Sequence, residues 1–223
     1  MNRKLRASLF GALWGVFIGT LPLTAQEGGG RQSVLSVQAG PSGYTGRFLG
    51  ITQTTGAYRS DLRPGIAWHV FYGYRGLSTG KNGLHLGPGL LYQGSTYHGS
   101  WDDGSDRIGM HYLAPQFALF GQHGSWAWQA ALGAGWLHYK DHSRVYGKPR
   151  QVTMNTLGGN LSVEGEYLLT TQWGISARFN WLLATSAHYQ LEYHGEHYTV
   201  RHPDTGEGYF GQLSVLFGVN WHF

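Results

Sequence analysis

The chain has 223 residues with 36 Gly, 15% aromatic and only 13% charged residues, and its 16 Lys and Arg stand against 12 Asp and Glu. So many rings exclude a disordered chain, which would be poor in aromatics. The absence of Cys excludes a disulfide scaffold and any thiolate metal site. The basic excess is local: without Arg3, Lys4 and Arg6, 13 cations face 12 anions, a balance that argues against a nucleic-acid partner.

In chain order, Asn2-Arg3-Lys4-Leu5-Arg6 is a basic start, Leu9 to Leu23 an apolar run, and Ala25 a small residue before Gln26. This is the pattern of a cleaved signal peptide over residues 1–25. The run from Ala7 to Leu21 is about 15 residues, short of the ~20 a spanning helix needs, and Pro22 closes it. Residues 26–32, with Gly28-Gly29-Gly30, are expected to form a flexible lead-in. No helix is predicted after these glycines, so they are not a nucleotide-binding loop. Residues 33–223 are expected to form one domain, and no stretch in them reaches 18 continuous apolar residues, which excludes helical spans.

Eight segments of that domain alternate with period two, as a barrel strand does when every second residue faces lipid. The first runs from Ser33 to Gly40, with Leu35, Val37 and Ala39 on one face. The second, Pro64 to Tyr74, sets Ile66, Trp68, Val70, Tyr72 and Tyr74 outward over His69 and Phe71. The third, Gly83 to Gln93, sets Leu84, Leu86, Pro88, Leu90 and Tyr92 outward. In the fourth, Ile108 to Phe120, Met110 and Tyr112 have one parity, Phe117 and Leu119 the other; one inserted residue near Ala114-Pro115, a bulge, reconciles them. The fifth, Ser125 to Tyr139, presents Trp126, Trp128, Leu132 and Trp136. The sixth, about Thr156 to Leu169, places Leu161, Val163 and Tyr167 over Asn160, Ser162, Glu164 and Glu166. The seventh, from Trp173 to about Ser186, places Ile175, Phe179 and Trp181 over Ser176, Arg178 and Asn180. In the eighth, Tyr209, Leu213, Val215, Phe217, Val219, Trp221 and Phe223 share a face.

Short links (Arg75–Asn82, Gly121–Gly124, Thr170–Gln172) alternate with long ones (Pro41–Arg63, Gly94–Arg107, Lys140–Asn155, Ala187–Gly208). The expectation is an all-β fold, an eight-stranded antiparallel transmembrane β-barrel in the outer membrane of a Gram-negative cell. Its long loops lie outside, and both termini lie in the periplasm. Aromatics near strand ends, including Tyr72, Tyr92, Trp126, Tyr139, Tyr167, Trp173 and Tyr209, are expected to form the two headgroup girdles.

The chain resembles the small outer-membrane β-barrel proteins, the group around the OmpA-like, OmpX-like and OmpW-like barrels. The resemblance rests on Val34-Leu35-Ser36-Val37-Gln38-Ala39-Gly40, on Tyr112-Leu113-Ala114-Pro115-Gln116-Phe117, on Gly133-Ala134-Gly135 and on Val219-Asn220-Trp221-His222-Phe223. It covers the domain and specifies architecture, not activity. It implies that Phe217, Val219, Trp221 and the terminal Phe223 are the signal read by the barrel assembly machinery.

Four groups of residues could carry function. Glu164, Glu166 and Arg178 are expected to meet in the lumen as a salt-bridge plug, since the interior of eight strands is filled by side chains; a gated polar pathway is the other reading. The last long link carries His188, Glu192, His194, Glu196, His197, His202, Asp204 and Glu207. Imidazoles and carboxylates can ligate zinc or nickel, with His194, His197 and His202 as the candidates, but the spacing matches no ligand motif and fits a hairpin. Arg47, Arg59 and Arg63 in one link, and Lys140, Arg144, Lys148 and Arg150 in another, could bind lipopolysaccharide phosphates. Ser186 and His188, with Glu192 or Glu207, are a possible nucleophile and base. The lipid A deacylases carry His-x-Ser where this chain has Ser-x-His, so that resemblance fails at its defining residues. The sequence therefore points to a monomeric barrel without cofactor or catalysis, with a narrow plugged lumen and a structural or surface-interaction role. Its partners are outer-membrane lipid and lipopolysaccharide. A lipid A-modifying enzyme and a narrow solute channel are the alternatives.

Overall fold

A computed structural model describes residues 32–46, 49, 51, 55–78, 83–201 and 208–223. The expected signal peptide, the lead-in up to residue 31, Arg47, His202, Asp204 and Glu207 lie outside the described residues. The strands are β1 (Ser33–Tyr44), β2 (Pro64–Tyr74), β3 (Leu77–Ser78), β4 (His85–Trp101), β5 (Gly104–His123), β6 (Trp126–Val145), β7 (Lys148–Leu168), β8 (Trp173–Ser186), β9 (His188–Tyr193), β10 (Glu196–Arg201) and β11 (Gly208–His222). One short helix, α1 (Gly56–Leu62), precedes β2. Eight of the strands pair in a ring, β1-β2-β4-β5-β6-β7-β8-β11, every pair antiparallel. At the short-turn end, Ser33 and Phe223 exchange backbone hydrogen bonds of 3.0 Å each way, which ties the first strand to the last.

The outer face is apolar over a limited height. On β6, Trp126, Trp128, Leu132 and Trp136 point out and are 64%, 42%, 60% and 41% exposed. Ten residues of a strand tilted by ~40° rise ~25 Å, the height of a lipid-facing band. Trp126 and Tyr167 pack edge to face at 5.1 Å, and Trp173, Trp221 and Phe223 stack in series at the short-turn end. Trp68, Tyr92, Trp136 and Tyr209 mark the opposite rim.

Beyond that rim the strands do not stop. The β4/β5 and β6/β7 hairpins continue for about 20–25 Å further, and most of the two long links that the sequence suggested as loops are ladder. Two-residue turns close β6/β7 at Tyr146-Gly147 and β9/β10 at His194-Gly195. All four of these residues have φ between 49° and 79°, the left-handed pair that matches the twist of a hairpin and that Gly supplies without strain. The β9/β10 hairpin joins β7 through Arg150–Thr153, so six strands form a projecting sheet that ends at β10.

Two expectations are corrected here. Pairing of β5 with β4 runs unbroken through Pro115, and the register with β6 is the same on both sides of it, so there is no bulge. The ladder to β6 skips Ala114 and Pro115, where Pro has no N–H to give. Met110, Tyr112 and Tyr139 all face inward and are 2%, 1% and 0% exposed, so Tyr139 is not part of a girdle. The cause is a change of surroundings. Within the band the outside is apolar and the lumen polar. Above it the outside meets water and the interior is an apolar core of Ile108, Met110, Leu137, Tyr139, Val152 and Met154. Hydrophobic parity therefore inverts at the rim while the register stays fixed.

The band makes a direct prediction. Leu161→Arg, in the middle of the outer face, should cost ~2–4 kcal/mol, measured by denaturant titration in lipid vesicles. Thr153→Arg on the same strand above the rim should change stability by less than ~0.5 kcal/mol.

Candidate functional site

Alternation sends every second side chain of each strand inward, and these meet inside the barrel in layers. Nearest the short-turn end, His222 Nε2 lies 2.7 Å from Glu166 Oε1, and both are buried. Gly174 leaves the room for this carboxylate, since a Cβ there would sit 2.0 Å from Glu166 Oε1. The next layer centres on Arg178, 1% exposed. Its Nε–H donates to Glu164 Oε2 at 2.7 Å and to Gln38 Oε1 at 3.1 Å, and its Nη2 also contacts Glu164. The guanidinium lies 4.9 Å from the centre of the Phe71 ring. Glu164 also accepts from Gln38 Nε2 at 3.0 Å and from Asn220 Nδ2 at 2.6 Å. The structure thus brings Glu164 and Arg178 together and sets Glu166 apart with His222. Register explains the split: Glu164 faces Arg178 across the β7/β8 ladder, whereas Glu166 faces Ser176.

Above Arg178 an amide chain crosses the lumen. Gln116 Nε2 and the Tyr112 hydroxyl donate to Asn160 Oδ1 at 2.9 and 3.1 Å. Asn160 Nδ2 donates to Asn180 Oδ1 at 3.2 Å, and Asn180 Nδ2 to Gln93 Oε1 at 2.8 Å. Aromatic rings follow, Tyr44 on Tyr97 at 5.6 Å and Tyr139 on Phe210 at 5.8 Å.

Helix α1 roofs the projecting end. Thr55 caps it by accepting from Tyr58 N, and Tyr58 and Leu62 are its buried residues. Tyr58 packs edge to face on Trp101 at 5.0 Å, and its hydroxyl donates to Asp106 Oδ2 at 2.6 Å. Asp106 and Asp141 are both 0% exposed and share one cation, Arg150, whose Nη2 is 3.5 and 3.8 Å away. Arg150 is therefore an inward group, not one of the surface cations the sequence suggested. Burial, and then the charge of Asp106, push the Asp141 carboxyl up to about 8 against the pull of Arg150. Sequence reasoning missed this pair; the signal was Asp106 and Asp141 sharing the parity of Ile108 and Tyr139.

The remaining candidates separate. Ser186 Oγ donates to the backbone oxygen of His188 at 2.8 Å, not to its ring. His188, His194 and His197 are exposed on the β9/β10 hairpin, and His197 Nδ1 is 3.9 Å from Glu192 Oε2. Among the described residues, no group of three or more His, Asp or Glu converges as a metal centre. Lys140 and Arg144 project from the outer face of β6, and Arg107 of β5 joins them.

The roof predicts a pH dependence. A carboxyl whose folded pKa lies above its unfolded value binds a proton more tightly when folded. Its contribution is present at low pH and is lost as pH rises from about 4 to about 8. Intrinsic-rate-corrected hydrogen exchange of residues 56–62 should therefore show protection falling between pH 5 and pH 9. In Asp141→Asn that slope should vanish.

No protein-family model and no curated protein matches the chain. Solved structures do. The chain is similar to a major outer membrane protein of Thermus thermophilus at 16% identity, over 86% of this chain and 99% of that one, with a TM-score of 0.58. It is similar to the outer membrane protease OmpT of Escherichia coli at 10% identity, over 92% and 99%, with a TM-score of 0.51. Neisserial surface protein A aligns at 9% identity, over 86% and 97%, with a TM-score of 0.48. With its closed eight-strand ring and apolar outer band, the chain has the fold of the small outer-membrane β-barrels, and its place is the outer membrane.

Proposed function

We propose that the protein is a non-conducting outer-membrane barrel that works through the sheet it projects from the cell surface, as a monomer with no chemistry of its own. The observation that carries this reading is the sheet itself. Six strands rise above the girdle and end at β10, which among the described residues pairs with β9 alone. A strand edge in water presents unpaired N–H and C=O groups, the template for adding a strand from another chain. Tyr198, 51% exposed, lies on this edge strand. The outward orientation follows from the short turns and both described chain ends lying together at the other end, the arrangement of bacterial barrels.

Against a channel stand the buried side chains that pair across the lumen in the Arg178 layer, the amide chain and the aromatic layer. A hydrolase built on Asp106 and Asp141 is disfavoured because both are wholly buried under Tyr58 and Leu62. Phe217, Val219, Trp221 and Phe223 lie on the lipid face of the last strand, where the assembly machinery would read them during insertion.

Two experiments test this reading. The turn at His194-Gly195 makes Tyr193 and Glu196 a hydrogen-bonded pair, so by alternation the N–H of Thr199 points away from β9. Thr199→Pro should leave the hairpin folded and abolish adherence of cells expressing the protein to epithelial monolayers. Adherence equal to that of the unmodified protein would remove the edge from the argument. In planar bilayers the protein should show no steady conductance; openings that vanish on Arg178→Gln would establish a channel instead. Arg178→Ala strands the Glu164 charge and should cost ~3–5 kcal/mol. The Arg178→Met, Glu164→Gln pair should recover most of that, read from denaturant unfolding.

A further inference from the structure

Directly above the rim, one ladder row crosses the outer face of four strands: Gly94 of β4, His111 of β5, His138 of β6 and Asn155 of β7. Their neighbours Tyr112, Leu137, Tyr139 and Met154 are buried in the interior, so alternation turns the two imidazoles and the amide outward. The ring of Trp68 takes the space a Cβ at Gly94 would need, which closes the row on that side. His111 and His138 are directly opposed, which brings their Cβ atoms to ~5.5 Å. His138 lies two residues beyond the girdle Trp136, a rise of ~5 Å, so the pair stands just outside the apolar band and within reach of water.

Each ring is held twice. His138 stacks on Trp136 at 5.6 Å, and its Nδ1 lies 2.9 Å from Asn155 Oδ1 on the β7 side. An amide oxygen only accepts, so this Nδ1 carries the proton and the lone pair of the neutral imidazole sits on Nε2. His111 stacks on Tyr92 at 6.2 Å, and its Nδ1 lies 2.9 Å from the Tyr92 hydroxyl on the β4 side; that hydroxyl can accept the same proton. With each Nδ1 engaged on the far side, the ring edges that carry Nε2 turn toward each other across the β5/β6 gap. Among the described residues, neither Nε2 has a hydrogen-bond partner. The other outward histidines are placed differently: Arg107 stands between His98 and His142, and His188 faces Arg201.

We propose that His111 and His138 form a two-imidazole site for a divalent copper ion, with water completing the coordination. Two opposed Nε2 atoms can close on one ion at the ~2.0 Å of a metal–imidazole bond. Neutral nitrogen ligands favour copper over nickel and zinc, and a tetragonal ion accepts two nitrogens beside waters. The row offers no carboxylate, so it does not suit calcium or magnesium, which take oxygen ligands. Asn155 and Tyr92 act behind the ligands: they fix the tautomer and the ring orientation, as groups behind metal-bound histidines do. Lys140, two residues beyond His138 on the same face, opposes a cation and keeps the affinity modest. The site goes beyond the edge-strand role proposed above and depends neither on it nor on which way the barrel faces.

The test is titration of the untagged, folded protein in detergent micelles with Cu²⁺, followed by calorimetry and electron paramagnetic resonance. The tightest ion should bind once per chain and show the nitrogen splitting of two imidazoles. His111→Asn and His138→Asn should each remove that ion as fully as the double variant does, because one imidazole alone does not chelate. Asn155→Ala, which touches no ion, should weaken binding ~10–100-fold. The triple variant His188→Asn, His194→Asn, His197→Asn should keep the ion, since these residues lie on the β9/β10 hairpin. Heat-modifiable gel mobility shows that each variant is folded. A spectrum with a single imidazole nitrogen would overturn the site. So would single variants whose losses merely add up to that of the double, which is the behaviour of independent surface histidines. Loss of the ion in the hairpin variant would overturn it in favour of the hairpin.

Discussion

Hydrocarbon offers a backbone no hydrogen-bond partner, and each N–H or C=O left open there costs several kcal/mol. Closure of the sheet, with β7 paired to β8 and β1 to β11, is the condition on which the other features depend. It forces inward every second side chain of eight strands, and the space inside is narrow enough that they must pack or pair. The Arg178–Glu164 contact, the Glu166–His222 contact and the amide chain through Asn160 and Asn180 are how these inward polar groups pair. Above the rim, water satisfies the backbone, and there the ring opens: β7 leaves β8 for β9, and β10 is left as an edge.

The same alternation has opposite chemical meanings on the two sides of the rim. Within the band an outward residue is apolar and an inward one polar. Above it the outward residues are His138, Lys140, His142 and Arg144, while Leu137, Tyr139 and Val145 turn inward. One uninterrupted strand, β6, thus supplies a lipid surface, a polar lumen, an apolar core and a basic outer face. Asp106 and Asp141 are carboxylates on the inward side, and a single guanidinium, a tyrosine hydroxyl and a raised Asp141 pKa accommodate them.

Strand number, the lipid face and the link asymmetry were legible because they depend only on period and length. The β7/β8 pair of Glu164 and Arg178 was legible for the same reason, since adjacent strands joined by a short turn have little choice of register. Glu166 was misjoined because its partner, His222, lies on β11, two strands away around the ring and 56 residues along the chain. The parity change between Tyr112 and Phe117 suggested a bulge, and Tyr139 suggested a girdle ring, because a single inside-outside rule was carried across the rim. Arg150 looked like a loop cation because its link looked like a loop.

By itself the sequence determined the barrel, since alternation is a local property that each strand carries independently of its neighbours. Only the tertiary structure decided which charges meet. That follows from register around a closed ring and from the height of the membrane rim, neither of which any one segment encodes. It buried Arg150 between two carboxylates, set Glu166 against His222, and gathered His98, Arg107, His142 and Arg144 from three strands onto one face.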